Sequence, residues 1–324
     1  MGRAAVNKVF QIGVETTAGT AVAAGKQLPS LSFSLSPELR TKDYRANGFK
    51  TTTVLQLNRE MAKGSVEGPL TYNEIIWLLC GLIGENDGSG GGSAPYTWDF
   101  APKTSGADTP KTFTVEVGDS TAAQQAAYTQ FKNFKLSASK DEVKVSGDLF
   151  ARSLANISNL TATPTVIDQV PVNVNEIDVY IDSTFGGIGG TKLTDVMMFD
   201  IEIGDKFLAR EVLNTTFQSF KDAIETDYQV KVSFVVEFNA QTQALYAAMK
   251  ASGLPTRYIR FKATGPTLGA GTYLFQFDAA VKLMATEQTD QDGVYAYKFE
   301  CLAIHDSSFG GAYSFQVKNN VSAL

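Results

Sequence analysis

Apolar and polar positions follow the same order twice along this chain. Leu31, Phe33 and Leu35 alternate with Ser32, Ser34 and Ser36; later, Phe199, Ile201 and Ile203 alternate with Asp200, Glu202 and Gly204. Period-two alternation predicts a strand with one buried and one wet face. Each such strand leads into a charged excursion, Pro37–Lys50 in the first copy and Asp205–Asp222 in the second. A second strand follows, carrying Val66 and Leu70, or Val230, Val232, Phe234, Val236 and Phe238. Next comes a helix. Ile75, Ile76, Leu78, Leu79 and Leu82 stand at helical spacing after Thr71, a candidate N-cap with Glu74 three residues on, and Leu245, Tyr246 and Met249 do the same after Asn239. Gly84 and Gly253 mark the helix ends. Three more strands are predicted in each copy, over 111–117, 128–138 and 142–150, and over 257–263, 272–285 and 294–305. The copies are offset by about 165 to 170 residues, the kind of self-similarity that sets an architecture before any motif does.

The pattern divides the chain into an N-terminal arm (1–26), a first unit (27–160), a linker (161–173), a second unit (174–310) and a C-terminal arm (311–324). Around the linker, residues 151–173 lose the alternation and gather Asn, Thr and Pro. Val174–Ile181 opens the second unit as a strand, followed by a glycine-rich turn at Gly186, Gly187, Gly189 and Gly190. The stretch 84–95 reads as a surface loop. Tyr313, Phe315 and Val317 give a short strand signal within the final arm. The expected fold is mainly β with one flanking α-helix per unit, in two tandem similar units.

Composition narrows the function classes. At 324 residues the chain has room for two domains, and 21 Phe and 12 Tyr favour β structure. No apolar run approaches the roughly 20 residues of a membrane-spanning helix, so no membrane binding of its own is expected. The formal net charge of −6 argues against a protein that grips nucleic acid by neutralising phosphates. Cys80 and Cys301 fall in apolar surroundings and read as small hydrophobes.

Candidate chemistry is sparse. The one histidine, His305, has no Cys or His partner at ligand spacing. Ser307 and Ser308 stand too close to His305 and Asp306 in sequence to suggest a triad. The glycines at 88–92 lack a following Gly-Lys-Ser/Thr, and no helix follows Gly186–Gly190, so neither run reads as a phosphate or dinucleotide loop. No enzyme, metal site or cofactor is expected.

The segment Phe10–Ala24, with Gly13-Val14-Glu15 followed by Gly19-Thr20, then the Leu28-Pro29 strand, resembles the opening of tail tube proteins of long-tailed (siphovirus-like) bacteriophages. Gly64, Gly68-Pro69-Leu70, Trp77-Leu78-Leu79 and Gly81-Leu82-Ile83-Gly84 extend the resemblance. It implies a β-sandwich or split-barrel unit with a flanking helix, and units that close into rings through shared sheets. Most members carry one unit and form six-membered rings. A chain with two fused units, as in some longer tube proteins, implies three chains per pseudo-hexameric ring.

That resemblance implies a structural virion protein, assembled in the host cytoplasm, whose stacked rings form a conduit for DNA ejection. Its implied partners are further copies of itself, a tape measure protein and DNA in the lumen, and tail terminator and tail tip proteins at the ends. The family's inter-ring contacts correspond to the two excursions, with Glu38, Arg40, Lys42, Asp43, Tyr44, Arg45 and Phe49 in one, and Asp205, Lys206, Phe207, Arg210, Glu211, Leu213 and Phe217 in the other. Candidate lumen-wall positions are the wet strand faces: Glu67, Glu142, Lys144, Asp148, Asp227, Lys231, Glu237, Asp278 and Glu300. A repulsive or weakly interacting bore suits a net acidic chain. The other readings are a different phage tail or contractile-injection-system tube component, and a β-sandwich binding module.

Overall fold

The computed structural model describes residues 7–84, 92–119, 121–213, 218–251 and 253–324. The fold is mainly β. The first half holds β1 (Val9–Val14), β2 (Lys26–Gln27), β3 (Ser32–Tyr44), β4 (Val54–Pro69), α1 (Ile75–Leu82), β5 (Tyr96–Phe100), β6 (Phe113–Gly118), β7 (Ala123–Phe131), β8 (Phe134–Ser139), β9 (Val143–Ala151) and β10 (Ser153–Ile157). After β11 (Thr165–Val166) come β12 (Ile177–Asp182), β13 (Val196–Ile203), β14 (Phe207–Arg210), β15 (Asp222–Glu225), β16 (Val230–Glu237), α2 (Ala240–Met249), β17 (Arg257–Leu268), β18 (Gly271–Gln291), β19 (Val294–Ala303) and β20 (Tyr313–Asn319).

Antiparallel partners recur in one order. In the first half β1 pairs with β6, β6 with β7 and β7 with β10, while β3 pairs with β4, β4 with β9 and β9 with β8. In the second, β12 pairs with β17, β17 with β18 and β18 with β20, while β13 pairs with β16, β16 with β19 and β19 with β18. The strand pair β7 and β8, interrupted at Lys132–Asn133, occupies the place that the single 21-residue β18 fills later.

The two series are spliced by β8 and β13, which pair antiparallel from Phe134 opposite Ile203 to Ser139 opposite Met198. A sheet therefore runs unbroken through β3–β4–β9–β8–β13–β16–β19–β18. Leu136, Ile201, Val232 and Cys301 form one cross-strand row through the splice, and all four are buried. Burying side chains of this kind contributes on the order of 1.5–3 kcal/mol each, so the junction is core rather than a tether. Beside it Phe199 stacks on Phe234 and lies tilted against Phe261.

The strands predicted from alternation lie close to those observed, but several expectations need correcting. Among the described residues neither terminal segment is an arm. Phe10 and Ile12 of β1 are buried, and β20 alternates Tyr313, Phe315 and Val317 into the core between β18 and β5. The linker is not free chain either: Ile167 and Val172 are buried, and Val172 donates its amide to Leu70 O while Tyr72 donates to Val170 O. The first excursion is an extended hairpin, β3 and β4 staying paired out to Tyr44 opposite Val54. Glu74, not Thr71, is the N-cap of α1, because residues 71–74 first form a turn in which Thr71 Oγ1 accepts the Glu74 amide at 3.2 Å. All eight residues of α1 are buried, so it is a core helix. In α2, capped as expected by Asn239 Oδ1 on the amides of Gln241 and Thr242, only Thr242 and Leu245 are buried. Cys80 and Cys301 are both buried and are not joined in a disulfide.

The glycine-rich turn after β12 is organised by one carboxylate. Asp182 accepts the amides of Gly189, Gly190 and Thr191 at 3.0, 3.2 and 3.0 Å. Glycines there let three amides converge on one side chain, which is a structural reason for the composition.

Candidate functional site

The β3–β4 hairpin projects a mixed surface. Leu39, Tyr44, Phe49, Val54, Leu55 and Leu57 are all exposed, with Leu55 at 66% and Phe49 at 61%. Leu39, Leu55 and Leu57 share one face of the hairpin, and Tyr44 and Val54 the other; contiguous exposed apolar surface of this kind marks interaction sites. Between 38 and 63 the cations Arg40, Lys42, Arg45, Lys50, Arg59 and Lys63 outnumber Glu38, Asp43 and Glu60. The hairpin is thus basic within an acidic chain. Near its base, the hydrogen bond from Lys63 holds the Glu38 carboxyl below the usual carboxylate range.

The structure brings the two expected contact excursions together. Arg40 Nη1 donates to Glu211 Oε1 at 2.7 Å, and Arg59 donates to Val212 O at 2.7 Å and Ser219 O at 3.3 Å. Of the second set, Asp205, Arg210, Glu211 and Leu213 reach the surface, Leu213 fully. Arg210 is paired with Asp222 across the β14–β15 hairpin, and Asp205 with Lys132. Phe217 lies outside the described residues.

Lys206 and Phe207 do not belong to that surface. Lys206 is wholly buried, its ammonium paired with Asp108 and 3.6 Å from Glu225, and lying 5.0 Å from the Tyr228 ring centroid. Phe207 is 3% exposed. In the sequence both read as surface positions, Lys206 as part of a charged run and Phe207 as an apolar anchor within it. The Lys206 acceptor Asp108 lies 98 residues away, with no local signal to reveal it.

The candidate wall residues sort by face. Glu67 on β4, Lys144 and Asp148 on β9, Lys231 and Glu237 on β16, and Glu300 on β19 are exposed. Strand parity puts them on the face of the continuous sheet opposite the Leu136–Ile201–Val232–Cys301 row. Lys135, Asp200, Glu202 and Lys298 join them there, and no local pattern in the sequence marks their strands as neighbours. Ser137 Oγ donates to Asp200 Oδ1 at 2.5 Å across the splice. The face mixes lysines, acids and serines instead of being strongly acidic. Glu142 sits in the β8–β9 turn, and Asp227 in the loop before β16. Asp278 is corrected outright: it is 8% exposed and pairs with Arg260 through two hydrogen bonds of 2.7 and 2.8 Å.

Two edges of the continuous sheet lack a strand partner among the described residues. One is the side of β3 away from β4; the other is the side of β18 away from β19, over residues 282–291. Beside the second lies an aromatic group, Phe238, Tyr246, Tyr295 and Tyr297, with Phe238 38% and Tyr295 48% exposed. Among the described residues no group of three or more His, Cys, Asp or Glu is arranged to hold a metal ion. No described helix is long and apolar enough to cross a membrane. No protein-family model matches the chain, and no curated protein matches it in sequence.

Proposed function

We propose that this chain is a self-assembling structural protein made of two tandem sandwich-like units, and that its copies join into rings that stack as a hollow tube. The observation that carries this reading is the splice of β8 to β13. It joins two series of strands with the same pairing order into one sheet, and among the described residues the corresponding outer edges at the two ends stay open. Unpaired edges recruit further strands. A join that has already been made once within the chain supports the same join between chains. Three chains, contributing six units, would close a ring.

Stacking rings needs a head-to-tail contact that does not close on itself. The basic, apolar-tipped β3–β4 hairpin suits that contact, with the rest of the acidic chain as its counterpart. The mixed Lys, acid and Ser face of the continuous sheet suits a bore that duplex DNA passes without being gripped, since phosphate binding needs concentrated positive charge. The resemblance of residues 10–24 to phage tail tube proteins agrees with this role and extends it to a virion tail. It also brings the remaining partners: a tape measure protein in the lumen, and terminator and tip proteins at the ends.

Electron microscopy of the purified protein at increasing concentration tests the reading, with sedimentation velocity alongside. Rings or hollow filaments are the expected result. A chain that remains monomeric at the highest attainable concentration would overturn it.

A further inference from the structure

The repeat in the pairing scheme fixes which residues of two copies meet, provided that the chains assemble as proposed above. Equivalent positions are set by the step from strand to helix. Leu70, just before α1, donates its amide to Val143 O, and Phe238, just before α2, donates to Tyr295 O. Val143 and Tyr295 each stand second after a two-residue turn, Lys140–Asp141 in one case and Asp292–Gly293 in the other. Counting back from Leu70 and Phe238 along the ladders makes Phe33 opposite Val66 equivalent to Phe199 opposite Phe234. Ser32 therefore stands where Met198 stands. Ser139 and Gln291, each closing its turn, are likewise equivalent.

Within the chain Met198 lies opposite Ser139, and Ile203 opposite Phe134. We infer that β3 of one copy pairs antiparallel with residues 286–291 of β18 in a second copy of this chain, with Ser32 opposite Gln291, Ser34 opposite Thr289 and Ser36 opposite Glu287. Both edges are free of other strands among the described residues. Edges are normally blunted by charged side chains, proline or a bulge; Ser32–Ser36 contains none of these, and Thr286–Gln291 has neither proline nor bulge and only the two acids Glu287 and Asp290. The blunting devices sit just outside: Pro37 ends the β3 stretch, and a register shift between Leu283 and Ala285 ends the β18 stretch. Pro37 falls at the position of Ile203, where the internal pairing also stops.

Burial points the same way. The row Leu70, Val143 and Ala138 beside the internal splice is buried, at 0%, 3% and 6% exposure. Its counterparts Phe238, Tyr295 and Asp290 are exposed. An incoming β3 would set Phe33 next to Asp290 and Leu35 next to Gln288, extending the uncovered aromatic row as Phe199 and Ile201 extend the covered one.

Paired cysteines under mild oxidation with copper–phenanthroline test the register, because Cys80 and Cys301 are both buried. Ser34→Cys with Thr289→Cys, and Ser36→Cys with Glu287→Cys, should each give a ladder of covalent multimers on a non-reducing gel. Ser36→Cys with Gln291→Cys, out of register by about 13 Å, should not. Hydrogen exchange on unmodified protein should show the 32–36 and 286–291 amides becoming protected together on assembly. Rings without the expected ladder or protection would overturn the register and leave the assembly reading intact. A chain that never assembles would overturn both.

Discussion

The Glu15 carboxylate accepts the Gly19 amide at 2.6 Å, closing a short loop in the Gly-Val-Glu-x-x-x-Gly string. The same carboxylate also accepts the Thr112 and Thr114 hydroxyls at 2.8 and 3.0 Å and the Tyr128 amide at 2.8 Å. Glu15 is 5% exposed, so its charge is held by four donors instead of water. Gly19 has φ +82°, and a Cβ there would lie 2.1 Å from Arg152 Nη1. The string is a clamp tying β1 to β6 and β7. Glu15→Ala should cost at least about 1–3 kcal/mol, the penalty for leaving a buried donor without an acceptor. Gly19→Ala should cost at least about 1–2 kcal/mol from the left-handed backbone alone. Urea unfolding of both variants checks this; stability close to the parent's for Glu15→Ala would show that the clamp is not needed.

The buried Lys206–Asp108 pair ties the β14–β15 hairpin to the loop before β6. Lys206→Met should destabilise by about 3–5 kcal/mol because Asp108 is left charged and dry. The double variant Lys206→Met with Asp108→Leu should recover most of that loss. A double variant as unstable as the single one, measured by the denaturation midpoint, would contradict this account.

Glu74 gives a pH signature. Burial pushes its carboxyl above the ordinary carboxylate value, against opposing hydrogen bonds from Ser30 and Thr71. A raised folded pKa means that the folded state binds the proton more tightly than the unfolded chain does. The charged form therefore weighs on stability above the folded pKa, and the burden lifts as pH falls through it towards the unfolded value. Glu74→Gln should lie above the parent in thermal midpoint at neutral and alkaline pH, with the gap narrowing in acid. A gap that widens on acidification would reverse the assignment.

The β3–β4 hairpin can be shortened without touching the core. Removing residues 41–57 and rejoining the strands should leave a protein that folds and forms rings yet does not stack. Lys42→Glu with Arg45→Glu should weaken stacking by at least tenfold in association constant, with the loss shrinking as salt screens the charges. Electron microscopy and sedimentation read both variants. Long tubes from the shortened chain would remove the hairpin from the stacking contact. The second excursion offers no such deletion: Lys206, Phe207 and Phe220 are core residues.

Much of this fold was legible because alternation survives wherever one sheet face is wet. Leu31–Leu35, Phe199–Ile203 and Val230–Val236 show it plainly, and Asn239 announced α2 through its cap. The outer part of the first hairpin was not legible. Beyond Pro37 both faces are in solvent, so Arg40, Lys42 and Tyr44 carry no period. β1 was hidden in a segment rich in Gly, Ala and Thr, where the buried members Phe10 and Ile12 are few. The candidate surfaces were half legible: exposed strand faces follow from parity, but which strands neighbour one another does not. Lys206, Asp278 and the β8–β13 splice depend on partners far away in the chain, and those partners leave no mark on the local pattern.

The β8–β13 ladder has one more consequence. Two halves linked by a flexible tether could adopt many relative angles, and a closed assembly would have to select one. Here the angle is set by the natural coiling of adjacent strands, together with the amides that Tyr72 and Val172 commit across the connecting segment. A bend held by a ladder within the chain, and not by its neighbours, would make the diameter of any circle it completes a property of the monomer.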